Sequence, residues 1–335
     1  MLRYTVRRLG QLLLVVAVLS VLLFAWLRSL PGGPVSALLG DRATAETRAQ
    51  LAAELGLDQP IPVQYLRFLG RAIGGDFGIS TGVQPGEGAL SIFLQRFPAT
   101  VELTGLALLL AVAAGIPLGY LAARRRGGWL DTTSVAGSLV GVAVPVFFLG
   151  FLLKYVFAVQ LGWLPTSGRQ SAGLDATRVT GFFVLDGLLT REWDAAWDAA
   201  IHLLLPALAL SSIPFAVIFR ITRAAVLDVL DEDYLRTAYA KGLSSGVIRR
   251  RHVLRNALLP VVTIIGLQTG ALLSGAVLTE HVFAYQGLGQ ALAIGFERRD
   301  YAVLQVVIIA SAMVYVLVNL IVDLSYAVID PRMRT

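Results

Sequence analysis

The 335-residue chain contains no cysteine. That excludes disulfides, thiol catalysis, zinc–thiolate sites and iron–sulfur clusters. Charge is scarce too: only 15% of residues are Asp, Glu, Lys or Arg, against about 25% in a soluble domain. Lysine occurs only at 154 and 241, so nearly all the positive charge is arginine. No GxxxxGK[ST] phosphate loop is present, so the chain cannot hydrolyse ATP by itself. The three histidines are His202, His252 and His281. His252 lies in a polar loop and the others at the ends of apolar runs, so no Ser–His pair sits at membrane depth. No aspartate pair does either, which removes the intramembrane hydrolases.

What the chain has in abundance is apolar side chains. They make up 56% of it, and the mean hydropathy is +0.72. This composition belongs to an all-α integral membrane protein. A net charge of +6 would hint at nucleic acid in a soluble protein. Here topology accounts for it, and no nucleic-acid motif, repeat or low-complexity tract appears.

A bilayer core of roughly 30 Å needs about 20 apolar residues per helix. Six runs qualify: residues 9–27, 99–123, 133–159, 200–219, 258–278 and 302–322. The first follows Arg3, Arg7 and Arg8, as a signal peptide would. Its apolar core is too long and no small-x-small cleavage site follows closely, so it reads as a retained span. The third is long enough to tilt, or to kink at Pro145. With the N-terminus inside, the inner segments 1–8, 124–131, 220–257 and 325–335 carry 16 Lys/Arg in 65 residues. The outer segments 29–98, 160–199 and 279–301 carry 10 in 133. The excess of positive charge places both termini in the cytoplasm. The chain then divides into residues 1–30 with the first span, an outer loop over 31–98, and a five-span core over 99–335 that contains an inner loop at 220–257.

The outer loops carry helices of their own. Thr44 is placed to cap a helix over 45–55, with Gly56 as its stop. A second, amphipathic helix is expected over 63–73, and both are expected to cover the outer mouth. The segment REWDAAWDAA is a helical pattern whose Trp193 and Trp197 suit the interface.

The centres of the spans are free of formal charge, which weighs against an ion-coupled carrier. Glu102 and Lys154 read as residues of the outer interface, the lysine snorkelling. The fifth span is the most polar, with Gln268, Thr269 and Ser274, and with Gly266 and Gly270 as GxxxG. That spacing suits close helix packing, and the polar residues suit a pore lining. Pro117, Pro145, Pro206 and Pro214 sit inside spans, where each is a potential bend.

The most informative segment is residues 233–260, DYLRTAYAKGLSSGVIRRRHVLRNALLP, a charged stretch between two spans. Asp231, Glu232 and Asp233 favour the start of a helix. Leu235, Ala238 and Tyr239 form its apolar set. Lys241 falls in its last turn, and Gly242 suits the left-handed stop. Ser244 or Ser245 is placed to cap a second helix through 249–254, and Pro260 to sit in the first turn of the next span. On physics alone this is either an ordinary amphipathic connector or a docking device.

RTAYAKG followed by LRNALLP resembles the EAA loop of binding-protein-dependent ABC importer permeases, and most closely the dipeptide/oligopeptide branch. MLRYTVRRLGQ, GDFGIST, RFPATVELTGLALLLAVAAGIPLG, RRRGGWLD, VFAYQGLGQAL and YAVIDPRMR extend the resemblance along the whole chain. The long first outer loop is typical of the B-type subunit. Gln286 departs from the family, which commonly has proline before GLG. The resemblance implies a type I ABC importer permease fold in the bacterial plasma (inner) membrane. It implies as partners a second, C-type permease, two ATP-binding subunits that hold ATP-Mg, an extracytoplasmic peptide-binding protein and membrane lipid. It implies no cofactor, metal or catalytic residue on this chain. The ATPase-coupling helix would comprise Asp233, Tyr234, Leu235, Arg236, Thr237, Ala238, Lys241 and Gly242, with Arg236, Ala238 and Gly242 nearest the partner. The alternatives are a related permease for nickel or another small solute, a stand-alone secondary carrier, and a non-transporting scaffold for an ATPase.

Overall fold

The computed structural model describes residues 2–29, 35, 39, 44–54, 56–174 and 176–329. Leu55, Arg332 and Arg334 lie outside the described residues, as do the side chains of Arg3, Arg7, Arg8, Ser274 and Asp323. In chain order the helices are α1 (Leu2–Ser29), α2 (Ala45–Glu54), α3 (Ile61–Ile73), α4 (Ala89–Arg124), α5 (Trp129–Ala143) and α6 (Val146–Leu153). They continue as α7 (Phe183–Leu189), α8 (Trp193–Leu230), α9 (Asp233–Ala240), α10 (Ser245–Val247), α11 (Arg255–Val282), α12 (Leu288–Glu297) and α13 (Tyr301–Ile329). Two π-helical stretches, Lys154–Gln160 and Ile248–Leu254, extend α6 and join α10 to α11. Among the described residues the one departure from helix and loop is an isolated antiparallel bridge between Ile79 and Gly88.

All six expected spans are helical. Among the described residues five are single helices long and apolar enough to cross a membrane, and α5 with residues 146–160 forms an apolar pair bent by 105°. The bend falls at Pro145, which has no N–H to continue α5 and forces its predecessor out of the helical region. Val144 accordingly has φ −82° and ψ 123°. Pro117, Pro206 and Pro214 lie inside unbroken helices, so of the four candidate bends only Pro145 ends one. REWDAAWDAA is not a separate helix: from Trp193 onward it is the start of the 38-residue α8. Pro260 is not in a first turn, because the helix already runs from Ser245 and Pro260 is interior to α11. Thr44 does cap α2, with its Oγ1 accepting the Thr47 N–H at 3.2 Å.

The chain folds as two compact units, residues 1–100 with 286–335, and residues 101–285. In the first, α1 packs along α13, and α12 folds back on α13. One core joins Ile92 and Phe93 of α4 to Ala291 of α12 and to Val303, Val306 and Val307 of α13. Another joins Leu23, Phe24 and Leu27 of α1 to Phe68 of α3.

Asp300, fully buried, ties the loop after α3 to the start of α13. Its Oδ1 accepts the Val303 N–H at 3.2 Å, capping α13. Its Oδ2 accepts the Ser80 hydroxyl at 2.5 Å and the N–H groups of Thr81, Gly82 and Val83 at 3.2, 2.9 and 3.0 Å. Removing a buried acceptor strands its donors at about 1–3 kcal/mol each. Asp300→Ala is therefore expected to release the loop around residues 80–86 to limited proteolysis. Equal protease resistance in the variant and the parent would refute this clamp.

In the second unit α8 is the central element, and α5, α6, α7 and α11 all pack against it. Interhelical packing inside a membrane relies on close backbone approach rather than on the hydrophobic effect. Gly119 of α4 shows how close: a Cβ there would sit 2.8 Å from the Phe219 carbonyl oxygen and from Thr222 Cβ of α8. No larger residue fits without separating the two helices.

Candidate functional site

The loop segment singled out by its sequence folds as a short helix laid on a helical end. Asp233 opens α9 and forms an exposed ion pair with Arg236 at 3.2 Å. Leu235 and Ala238 point inward, into a core with Ala123 of α4, Val226 of α8, Ile248 and Val253 of the π-helix, and Ala257 of α11. Ala238 is buried within its own chain, on the side of α9 opposite the exposed residues. Its small side chain is spent on letting α9 lie against its own chain. The outward face is formed by Arg236, Thr237, Tyr239, Lys241 and Gly242, and Tyr239 is 57% exposed. Leu243 and Val247 extend it as exposed apolar side chains. Tyr234, also exposed, accepts a hydrogen bond from Asn256 Nδ2 at 2.8 Å, which links α9 to α11.

Gly242 has φ +72°, the left-handed geometry expected of a helix stop. Its N–H bonds the Tyr239 carbonyl at 3.0 Å, and the Leu243 N–H bonds the Ala238 carbonyl at 3.3 Å. A Cβ on Gly242 would meet no atom within 4 Å. The glycine is therefore required by backbone conformation and not by crowding. Ser244 takes the position before α10, but its hydroxyl makes no cap bond.

Gln268 and Thr269 are half-buried on α11, and Gly266 and Gly270 are buried. The Thr269 hydroxyl donates to the Ile265 carbonyl of its own helix at 2.8 Å, the usual way a membrane helix satisfies a threonine.

The charges at the far end of this unit are not loose interfacial residues. Glu102 of α4 is 11% exposed in its side chain and Arg169 is 5% exposed, and they pair at 3.0 Å. Glu102 also accepts the Val184 N–H at 2.9 Å, and Tyr285 lies 3.5 Å from its Oε2. Arg169 donates to the Gly181 carbonyl at 2.9 Å and lies 3.6 Å from the Phe183 ring centroid. Arg178 covers the same ring at 3.3 Å. Burial raises the Tyr285 phenol pKa, so the hydroxyl stays protonated and faces Glu102 as a donor. Asp186, fully buried beside this group, accepts the Thr180 hydroxyl at 2.6 Å and the Thr180 and Gly181 N–H groups at 2.8 and 3.0 Å. Burial alone would raise its carboxyl pKa; the hydrogen bonds from Thr180 and Gly181 outweigh that and hold it below the usual range. Lys154 has a partner as well. Its Nζ donates to the Val282 carbonyl at 3.1 Å, where a cation suits the negative end of α11.

Toward the loop end, Asp131 and Arg223 form a bidentate pair at 2.6 and 2.8 Å that joins α5 to α8. Among the described residues no group of three His, Asp or Glu is placed to hold a metal.

The model of the binding-protein-dependent transport system inner membrane component matches residues 115–335, and the model of the N-terminal part of such components matches residues 1–104. The chain belongs to this permease family. The dipeptide transport system permease protein DppB of Escherichia coli K12 is 44% identical over 338 residues, covering 100% of this chain and 99% of its own. The di/tripeptide transport system permease protein DppB of Pseudomonas aeruginosa UCBPP-PA14 is also 44% identical, over 335 residues, with the same coverage. DppB of Alkalihalophilus pseudofirmus is 39% identical over 334 residues and matches along the full length of both chains. A chain from the inward-facing MetNI methionine ABC transporter superposes with a TM-score of 0.55 at 17% identity, covering 72% of this permease and 97% of itself. The fold is therefore that of an ABC importer permease, and RTAYAKG falls on the exposed helix α9.

Proposed function

We propose that the chain is the B-type, pathway-forming permease of an ABC importer for dipeptides and short oligopeptides, with both termini in the cytoplasm. The observation that carries this reading is full-length identity of 39–44% to permeases named for dipeptide and di/tripeptide transport. The chain pairs with a homologous C-type permease. Two ATP-binding subunits hold ATP-Mg, and a peptide-binding protein delivers substrate from outside. The outward face of α9 seats in a groove on one ATPase. ATP binding draws the ATPases together and moves the α9 helices with them, and the bundle switches from inward- to outward-facing as a two-state rigid-body change. The core against which Leu235 and Ala238 pack makes that transmission stiff, because a helix anchored by buried side chains moves with its bundle. Recognition resides mainly in the binding protein, so the pathway lined by Gln268 and Thr269 has only to be permissive.

The test is to purify the tagged chain from its native host and identify what accompanies it by mass spectrometry, then to assay ATP-dependent uptake of a labelled dipeptide in proteoliposomes. Two ATPases and a second six-span permease are expected, with uptake that requires the binding protein. Recovery of the folded chain alone would overturn the reading.

A further inference from the structure

The helix α3 carries two apolar faces. One packs against α1: Phe68 stacks on Phe24 with ring centroids 5.6 Å apart, and the Tyr65 and Ser20 hydroxyls are 2.8 Å apart. The other, formed by Pro62, Leu66, Leu69 and Ile73 at spacings of four, three and four, points away from α1. On it Leu66 is 65% exposed and Ile73 80% exposed. The exposed Arg67 and Arg71 run along one edge between the two faces.

We propose that α3 lies in the plane of the membrane, with this outward face seated on phospholipid acyl chains and Arg67 and Arg71 at the level of the lipid phosphates. Depth is the first argument. At 1.5 Å per residue, Ser20 lies about 13 Å and Phe24 about 7 Å inside the end of α1 at Ser29. A helix whose side chains reach both residues sits about 5–10 Å within the leaflet, the depth of an interfacial amphipathic helix. Level is the second: Val18 and Leu22, at the same height on the side of α1 turned away from α3, are exposed apolar residues of a candidate span. Charge is the third: two arginines beside an apolar stripe match a phosphate layer above acyl chains. The helix would brace the first span against tilting as the bundle switches. Which leaflet it occupies rests on the proposed topology; its contact with lipid does not.

The absence of cysteine makes the test direct. Leu66→Cys and Ile73→Cys would each be introduced, the complex extracted intact, labelled with bimane and placed in nanodiscs. Asp58→Cys, in the exposed turn before α3, serves as the control. Phospholipids with brominated acyl chains are expected to cut emission about twofold at positions 66 and 73, with aqueous iodide having little effect there and the reverse holding at position 58. Iodide quenching at 66 and 73 would place the helix above the membrane and overturn the proposal. Shielding from both quenchers would place another subunit on that face and also overturn it. Uptake of dipeptide by the parent complex is measured separately, so loss of the importer reading would leave the quenching result intact.

Discussion

Arg169→Met is expected to destabilise the protein by about 3–5 kcal/mol, the usual cost of removing one partner from a buried ion pair. The substitution leaves the Glu102 carboxylate shielded from water, with the Val184 N–H and the Tyr285 hydroxyl as neighbours and no cation paired directly to it, Arg178 acting only through its field. It also frees the Gly181 carbonyl and takes a guanidinium off the Phe183 ring. The measurement is the thermal stability of the purified complex, with the half-life at one temperature reported if unfolding is irreversible. Glu102→Gln combined with Arg169→Met should recover part of the loss, because replacing both charges costs less than stranding one. Arg169→Lys should rescue poorly: an ammonium cannot reach Glu102 and the Gly181 carbonyl with the same fork, nor lie flat on Phe183. If Arg169→Met matches the parent in stability, the pair is not the brace described above.

The contrast between this cluster and the spans shows which parts of the fold can be read in a sequence. Hydropathy marked all six spans because each is a local run. Pro145 marked a bend because proline acts on its own residue and the one before it. Glu102, Arg169 and Asp300 left no such trace. Their partners lie 67 positions away in one case and more than 200 in the other, and nothing periodic connects them. A charge near the end of a span reads equally well as interfacial or as buried and paired, and hydropathy cannot separate the two. The partner of Lys154 was hidden in the same way, because the carbonyl it caps belongs to a helix that ends 128 residues later. In the α9 segment the motif located the helix, its acidic start and its glycine stop, but not its facing. Ala238 and Tyr239 are neighbours on a wheel that turns 100° per residue. Only the core made with Val226, Ile248 and Val253 decides that the alanine turns in and the tyrosine out.

That facing yields the sharpest prediction about coupling. If the outward side of α9 seats in an ATPase groove, Tyr239→Ala should cut dipeptide uptake at least about tenfold, since truncating a central aromatic anchor commonly costs 2 kcal/mol or more. The stability of the chain should barely change, because Tyr239 is more than half exposed and lies outside the buried cluster. Ala238→Leu should act through the opposite face. Extra methylenes in a filled core cost about 1–3 kcal/mol and would lift α9 off Val226 and Ile248, so stability and uptake should fall together. Gly242→Val adds a third mechanism. A β-branched residue resists φ +72°, so the helix stop should fray and uptake fall while the buried core stays intact. The informative readout is uptake per ATP hydrolysed, alongside co-purification of the ATPase. Tyr239→Ala should lower both at unchanged stability. If it leaves both at the parent level while Ala238→Leu abolishes them, the contact lies elsewhere on the loop, and Leu243 and Val247, also exposed, would be the next positions to truncate.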